Sequence, residues 1–312
     1  ICAFLLMSQN NGEFAPAVTM AVTLWIVIWW IFEPIPIPAT SLLPMALLPL
    51  FGVITAKELG AAYGNPLVLL KLGGFILAAA LERSGAHRRI AMYMVRAFGG
   101  TSPRRLVFGF MCASAFLSMW ISNTSTTLML LPVALAALEK TDDMNLSGPL
   151  LLGIAYAASI GGIGTPIGTP PNMVFMGVYT EVTGGAVSFG QWMLWAIPVV
   201  LVLLPIAGLW ITRGVSKSGG VVLPEAEAWS TAERRVLVIF SITALLWMTR
   251  KGPWGGWSEW LSLPYANDAM VAFLAVIALF VVPSGEQDSN GDPERLLDWH
   301  TAERIPWGML LL

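Results

Sequence analysis

Charge is what this sequence has least of: 12% of its 312 residues are Asp, Glu, Lys or Arg, against about 25% in soluble chains. With 56% hydrophobic residues and fourteen tryptophans, that scarcity excludes an ordinary soluble domain and marks an all-α polytopic membrane protein. Cysteine is nearly absent as well. Cys2 and Cys112 stand in apolar surroundings without CxxC or Cys/His spacing, which excludes a disulfide framework or a thiolate metal site and reads as inert buried thiols. The two histidines, His87 and His300, fall in connecting segments and read as solvated. HExxH, paired intramembrane aspartates and a nucleophile beside a core histidine are all missing, so an intramembrane enzyme is not indicated. The net charge of −2 singles out no partner, and nothing points to nucleic acid.

The most informative absence is local. No Asp or Glu occurs from Leu106 to Leu138 or from Leu146 to Thr180, so a proton relay, which needs an intramembrane carboxylate or histidine, is not expected there. What those runs do contain is neutral polarity. Ser122-Asn123-Thr124-Ser125-Thr126-Thr127 interrupts the first, and Gly161-Gly162-Ile163-Gly164-Thr165-Pro166-Ile167-Gly168-Thr169-Pro170-Pro171-Asn172 breaks the second. An unsatisfied polar group in hydrocarbon costs several kcal/mol, so each knot requires partners.

Apolar runs place spans at about 16–32, 38–53, 66–81, 192–211, 235–249 and 268–282, with an unfinished one from Ile305. Alternating prolines in Glu33-Pro34-Ile35-Pro36-Ile37-Pro38 end the first. Residues 90–98 suit a helix lying at the membrane surface, and 284–304 reads as an acidic, turn-rich connector. Lys71 reads as a snorkelling or inter-helix residue, and the tryptophans near 25–30, 192–195 and 254–260 as interfacial anchors.

The run 106–138 fits no ordinary span. One straight helix of that length would reach about 50 Å, against a hydrocarbon core of about 30 Å. Split at the knot, each arm is too short to cross, which predicts a re-entrant hairpin with Ser122-Asn123-Thr124 at its tip. The glycines and Pro170-Pro171 predict that the following run crosses as two half helices, about 149–163 and 171–180. Charge supports this layout. With 82–105 on the cytoplasmic side, thirteen of the seventeen Lys and Arg fall inside, three (Lys57, Arg250, Lys251) outside and Lys71 within a span. A full crossing by 106–138 would reverse the later basic loops. A weak repeat relates the spans leading to Asn65-Pro66-Leu67 to those leading to Ile305-Pro306-Trp307, as in inverted-repeat transporters with an incomplete second repeat. The chain opens without Met and closes inside an apolar run, which reads as an internal piece of a longer protein, and no targeting segment can be judged.

A new helix begins at each break. Ser122 or Thr124 is placed to cap the first, and Thr169 followed by Pro170 makes a cap-and-N1 pair for the second. Both starts would present unpaired N–H groups and a positive dipole end to an oxyanion such as a carboxylate. Oxygens of Ser118, Ser122 and Asn123 and the carbonyl of Gly168 suit a hard cation. The competing reading is structural: hydroxyls bonded back to their own helix, and Gly164 and Gly168 as a GxxxG packing pair.

Ser122-Asn123-Thr124 followed by Gly168-Thr169-Pro170-Pro171-Asn172, with Leu72-Gly73-Gly74-Phe75 and His87-Arg88-Arg89-Ile90-Ala91 upstream, resembles the divalent anion:sodium symporter family of sodium-coupled dicarboxylate transporters. The resemblance implies a homodimeric elevator transporter of the plasma (inner) membrane, with scaffold helices at 1–103, a transport domain at 104–212 and the start of the second repeat at 213–312. It implies sodium near Ser118, Ser122, Asn123 and Gly168, and a substrate carboxylate near Asn123, Thr124 and Thr169. A C4-dicarboxylate such as succinate is the expected substrate. Citrate, sulfate, exchange without sodium and a related ion transporter stay open as alternatives.

Overall fold

The computed structural model describes residues 14–99, 102–139, 145–215, 228–252, 255–287, 291 and 293–311. Cys2, the charged turn around Lys140 and all of 216–227 lie outside them. The helices are α1 (Phe14–Phe32), α2 (Ile37–Thr40), α3 (Leu42–Leu50), α4 (Ala56–Tyr63), α5 (Pro66–Ser84), α6 (Ala86–Gly99), α7 (Pro103–Ser118), α8 (Asn123–Leu138), α9 (Ser147–Gly162), α10 (Pro170–Thr183), α11 (Phe189–Ile211), α12 (Thr231–Thr249), α13 (Gly256–Trp260), α14 (Asp268–Val281), α15 (Trp299–Ala302) and α16 (Gly308–Leu311). A short antiparallel ribbon, β1 (Pro283–Gln287) with β2 (Pro293–Arg295), is the one departure from helix among the described residues. It occupies the segment expected to be a plain connector.

The chain divides into two compact units, residues 1–72 with 306–312, and residues 73–305. In the first, α1 packs on α2 and α3. Here the expected span 38–53 is split at Ser41, because Pro44 and Pro49 weaken a continuous helix. Lys71 donates to the carbonyl of Met309, so its ammonium serves as an inter-helix tie. A capping box, Thr55 with Glu58, starts α4: the Thr55 N–H donates to Glu58 Oε2 at 2.7 Å and the Glu58 N–H to Thr55 Oγ1 at 3.2 Å.

The second unit is built on α9, which lies along α7 and also touches α8 and α11. Small residues set these distances. A Cβ at Gly161 would strike the Ala115 backbone, and one at Gly109 would come within 2.7 Å of Gly99 Cα, so α7 approaches both α9 and α6 closely. Phe110, Leu117, Leu150 and Ile154 fill the core between them. By contrast α11 leaves Leu194, Leu201 and Ile206 exposed, the pattern of a helix facing lipid. By length and composition α1 and Phe189–Gly214 can each cross a membrane, and the pair α4 and α5, bent by 42°, makes a third candidate.

α6 is amphipathic, as its expected surface location requires, but it begins at Ala86 and carries His87 inward. His87 is 7% exposed, and its Nδ1 lies 3.0 Å from the Leu81 carbonyl oxygen. The expectation of a solvated loop histidine is therefore wrong: the helix turns that position toward the end of α5, and burial holds the imidazole below its ordinary pKa. His300, in α15, is exposed, and Arg304 just beyond the helix lies beside it. Arg89 crosses from α6 to the capping box that starts α12, donating from Nε to Glu233 Oε1 at 2.7 Å, while Glu233 Oε2 accepts the Ser230 N–H at 2.7 Å. Trp229 is stacked there on Tyr93, with Arg89 over its face.

Candidate binding site

The uncharged run 106–138 folds as α7 and α8, separated by a turn over residues 119–122. Ser118 ends α7, fully buried, and its Oγ donates to Asn123 Oδ1 at 2.6 Å. Ser122 is the N-cap of α8, accepting the Ser125 N–H at 3.1 Å. The choice between Ser122 and Thr124 as cap thus falls to Ser122. Thr124 sits in the first turn with its side chain exposed. Thr127 Oγ1 donates back to the Asn123 carbonyl at 2.8 Å, so part of the knot satisfies itself within its helix.

The second break runs from Ile163 to Thr169 between α9 and α10. It is irregular but well bonded. Asn172 Nδ2 donates to the carbonyls of Gly162 and Thr165, each at 2.8 Å. Thr165 Oγ1 donates to the Met119 carbonyl across to the first break, and Trp192 Nε1 on α11 donates to the Ile163 carbonyl at 2.9 Å. Gly74 on α5 lies against Ile167, where a Cβ would come to 3.2 Å of the isoleucine side chain. This gives Gly74 a local reason, since it seats the turn, while Gly73 lies against Ala272 of α14, where a Cβ would come to 2.6 Å of the alanine Cβ. Asn172 and Trp192 had no assigned part in this scaffold on sequence alone, since their partners are main-chain atoms of a turn whose shape the sequence does not display.

The two breaks meet. A Cβ on Gly162 would lie 2.6 Å from Asn123 Oδ1, and one on Gly168 would strike the Gly162 carbonyl and come to 3.0 Å of the Ser118 carbonyl oxygen. Ser118, Asn123, Gly162 and Gly168 therefore form one cluster of hydroxyl, amide and carbonyl oxygens, with glycine allowing the close approach. Gly164 and Gly168 lie outside any helix, so they do not act as a GxxxG helix pair. Thr169 occupies the N-cap position of α10 without its side chain capping the helix, and it is half-buried. Among the described residues, the Thr124 and Thr169 side chains form no hydrogen bond with the four clustered residues.

The two helix starts differ as anion sites. Pro170 and Pro171 fill the first two positions of α10 and have no N–H, and the Asn172 N–H donates to the Thr169 carbonyl at 3.2 Å. The expectation that both starts offer unpaired N–H groups is corrected for α10, whose first turn contributes a dipole more than donors. At α8 the Ser125 and Thr126 N–H groups go to Ser122, while those of Asn123 and Thr124 head the helix. Among the described residues, no group of three or more His, Cys, Asp or Glu gathers to hold a metal ion. Neutral oxygens at this site suit a weakly held monovalent cation more than a transition metal.

The citrate-transporter family (CitMHS) matches residues 27–312. A sodium-dependent dicarboxylate transporter of Staphylococcus saprophyticus is 35% identical, aligned with all of this chain and 63% of its own length. One of Staphylococcus aureus is 37% identical, over 94% of this chain and 59% of its own. The chain spans about three fifths of the length of these curated relatives. With a family match across nearly its whole length, the chain belongs to the citrate-transporter family, a family of membrane transporters and not of enzymes.

Proposed function

We propose that the protein that carries this chain is a sodium-coupled symporter of C4-dicarboxylates such as succinate across the plasma membrane. The observation that carries the reading is the meeting of Ser118 Oγ, Asn123 Oδ1, Gly162 and Gly168 where two interrupted helices touch. Sodium sits among the oxygens of Ser118, Ser122 and Asn123 and the Gly168 carbonyl. One substrate carboxylate sits at the start of α8, on Asn123 and Thr124, with the Thr169 hydroxyl from the other break. The relatives' sodium dependence and dicarboxylate substrates support the assignment.

Coupling follows from charge. A dianion entering an uncharged site loses hydration at large cost, and a cation beside it offsets part of that cost. Neither ion binds well alone. Asn123 faces both, so the amide that orients toward sodium also fixes the carboxylate. Moving more sodium charge than anion charge makes uptake electrogenic, at about 2.3 kcal/mol per charge per 100 mV.

In this reading α7 and α8, each 16 residues and so about 24 Å long, are the arms of a re-entrant hairpin. Residues 104–212 move as the transport domain of an elevator, 1–103 form its scaffold, 213–312 begin an inverted second repeat, and the protein works as a homodimer. Citrate is the competing substrate, favoured by the family's description. Labelled succinate uptake into vesicles, with and without an inward sodium gradient and with unlabelled citrate as competitor, separates the two. Succinate that neither enters nor competes under any gradient removes the dicarboxylate assignment.

A further inference from the structure

Along α9, Leu152, Tyr156 and Ile160 repeat every four residues and form one stripe, and Leu203, Ile206 and Trp210 on α11 line the other wall of a groove of about 1080 Å³. From Gly148 to Ile160 the groove follows α9 for about 18 Å. Leu152, Tyr156, Ile206 and Trp210 are all more than half exposed, and the groove continues the bare apolar surface that α11 shows at Leu194 and Leu201. Beside lipid-facing residues, such a groove is filled by hydrocarbon and not by water.

One end of the groove is different. Arg213, just past α11, closes the lining there. Its guanidinium lies over the Trp210 ring, 4.1 Å from the centroid, which uses the face of the group and leaves its N–H edge for an oxyanion. Arg104 reaches the same end from the first turn of α7, donating from Nε to Thr212 Oγ1 at 3.1 Å, and Arg105 follows it, exposed. None of these three arginines is ion-paired among the described residues. The start of α9 lies here too, because α9 runs parallel to α7, with Gly153 against Val107 and Gly161 against Ala115. It has no side-chain cap, so it adds the positive end of a helix dipole. The distribution of Lys and Arg assigns this end to the cytoplasmic side, where the membrane surface carries anionic lipids.

We propose that the groove binds one anionic phospholipid of the cytoplasmic leaflet, with its phosphate on Arg213, Arg104 and Arg105 around it, and an acyl chain along the α9 stripe. Polarity decides for this occupant. A cationic end followed by three apolar turns of α9 suits a phosphate joined to a hydrocarbon chain, and suits neither a free anion nor a head group without net charge. The chain would reach Ile160, next to Gly161-Gly162 at the second break, so an occupied groove fastens α9 to α11 up to the edge of the tip cluster. Such a lipid site does not depend on the sodium-coupled reading above.

The test is native mass spectrometry of the purified protein, delipidated and then titrated with phosphatidylglycerol or phosphatidylcholine. Wild type is expected to retain one phosphatidylglycerol per chain more tightly than any phosphatidylcholine. Arg213→Gln should weaken that lipid about fivefold, the worth of one basic residue at an anionic surface. Leu152→Trp, at an exposed position, fills the groove while leaving Arg213 in place, and should displace the same lipid. Inorganic phosphate should not compete with it. Equal retention of the two lipids, or an Arg213→Gln titration that superimposes on the wild type, overturns the proposal. So does a wild type that retains neither lipid, the result expected if another part of the protein fills the groove. Displacement by inorganic phosphate overturns it as well, in favour of a free-anion site. Should Arg213→Gln not fold, wild-type retention in a folded Leu152→Trp overturns it equally.

Discussion

Asn123 heads α8 and turns its side-chain oxygen toward Ser118 Oγ and the Cα of Gly162. A single methyl on the facing glycine tests that arrangement. A Cβ at Gly162 would press on Asn123 Oδ1 at 2.6 Å, so Gly162→Ala is expected to weaken sodium-dependent succinate binding at least tenfold, with about 1–3 kcal/mol lost from overpacking. Binding isotherms and thermal unfolding in detergent read the two effects separately. Asn172→Leu removes two donors from buried carbonyls and is expected to lower stability by about 2–3 kcal/mol, read as a drop in melting temperature. At this scale the sequence disclosed much of the cluster. Ser118 and Asn123 lie five apart across a break, and neutral oxygens were all the run could offer. Asn172 and the buried face of His87 escaped, because each acts through partners brought together only by packing: carbonyls of a turn, the end of α5.

At the scale of elements, both helix breaks were legible, since length against bilayer thickness and the Pro and Gly punctuation place them within a few residues. The split at Ser41 and the ribbon of β1 and β2 were not, because a short apolar run with internal prolines and an acidic connector carry no period that distinguishes these outcomes. The joint between α6 and α12 was equally invisible. There burial pushes the Glu233 carboxyl up, but the Arg89 guanidinium and the Ser230 N–H and hydroxyl outweigh it and hold the group below its ordinary value of 4.5. A depressed carboxylate contributes stability that is present above the unfolded-state pKa and lost as pH falls through the folded one. The melting temperature is therefore expected to hold between pH 7 and 6 and to fall below about pH 4.5. Glu233→Gln should lose on the order of 3 kcal/mol at pH 7 by removing the charged partner of the Arg89 guanidinium, and should flatten the acid limb of the profile. A steep acid limb retained in Glu233→Gln would assign that loss to other carboxylates.

For the molecule as a whole, the membrane character came from composition alone, and the family from ordered motifs that now have structural reasons: Gly74 against Ile167, Ser122 as cap, Asn172 as staple of the second break. The packing of 1–72 with 306–312 was not readable, because it joins segments far apart in the chain through contacts such as Lys71 with Met309. The proposed coupling predicts that succinate uptake into vesicles generates inward current, and that clamping the membrane potential to zero slows it; uptake indifferent to potential would remove the excess sodium charge from the scheme. The most direct test of the central claim is succinate binding to purified wild type and Asn123→Ala at matched ionic strength, with sodium and with choline in its place. The account predicts that wild type binds only in sodium, while a folded, membrane-inserted Asn123→Ala shows no sodium-dependent binding. Equal sodium-dependent binding in the two proteins would contradict it and remove the hairpin tip from the site.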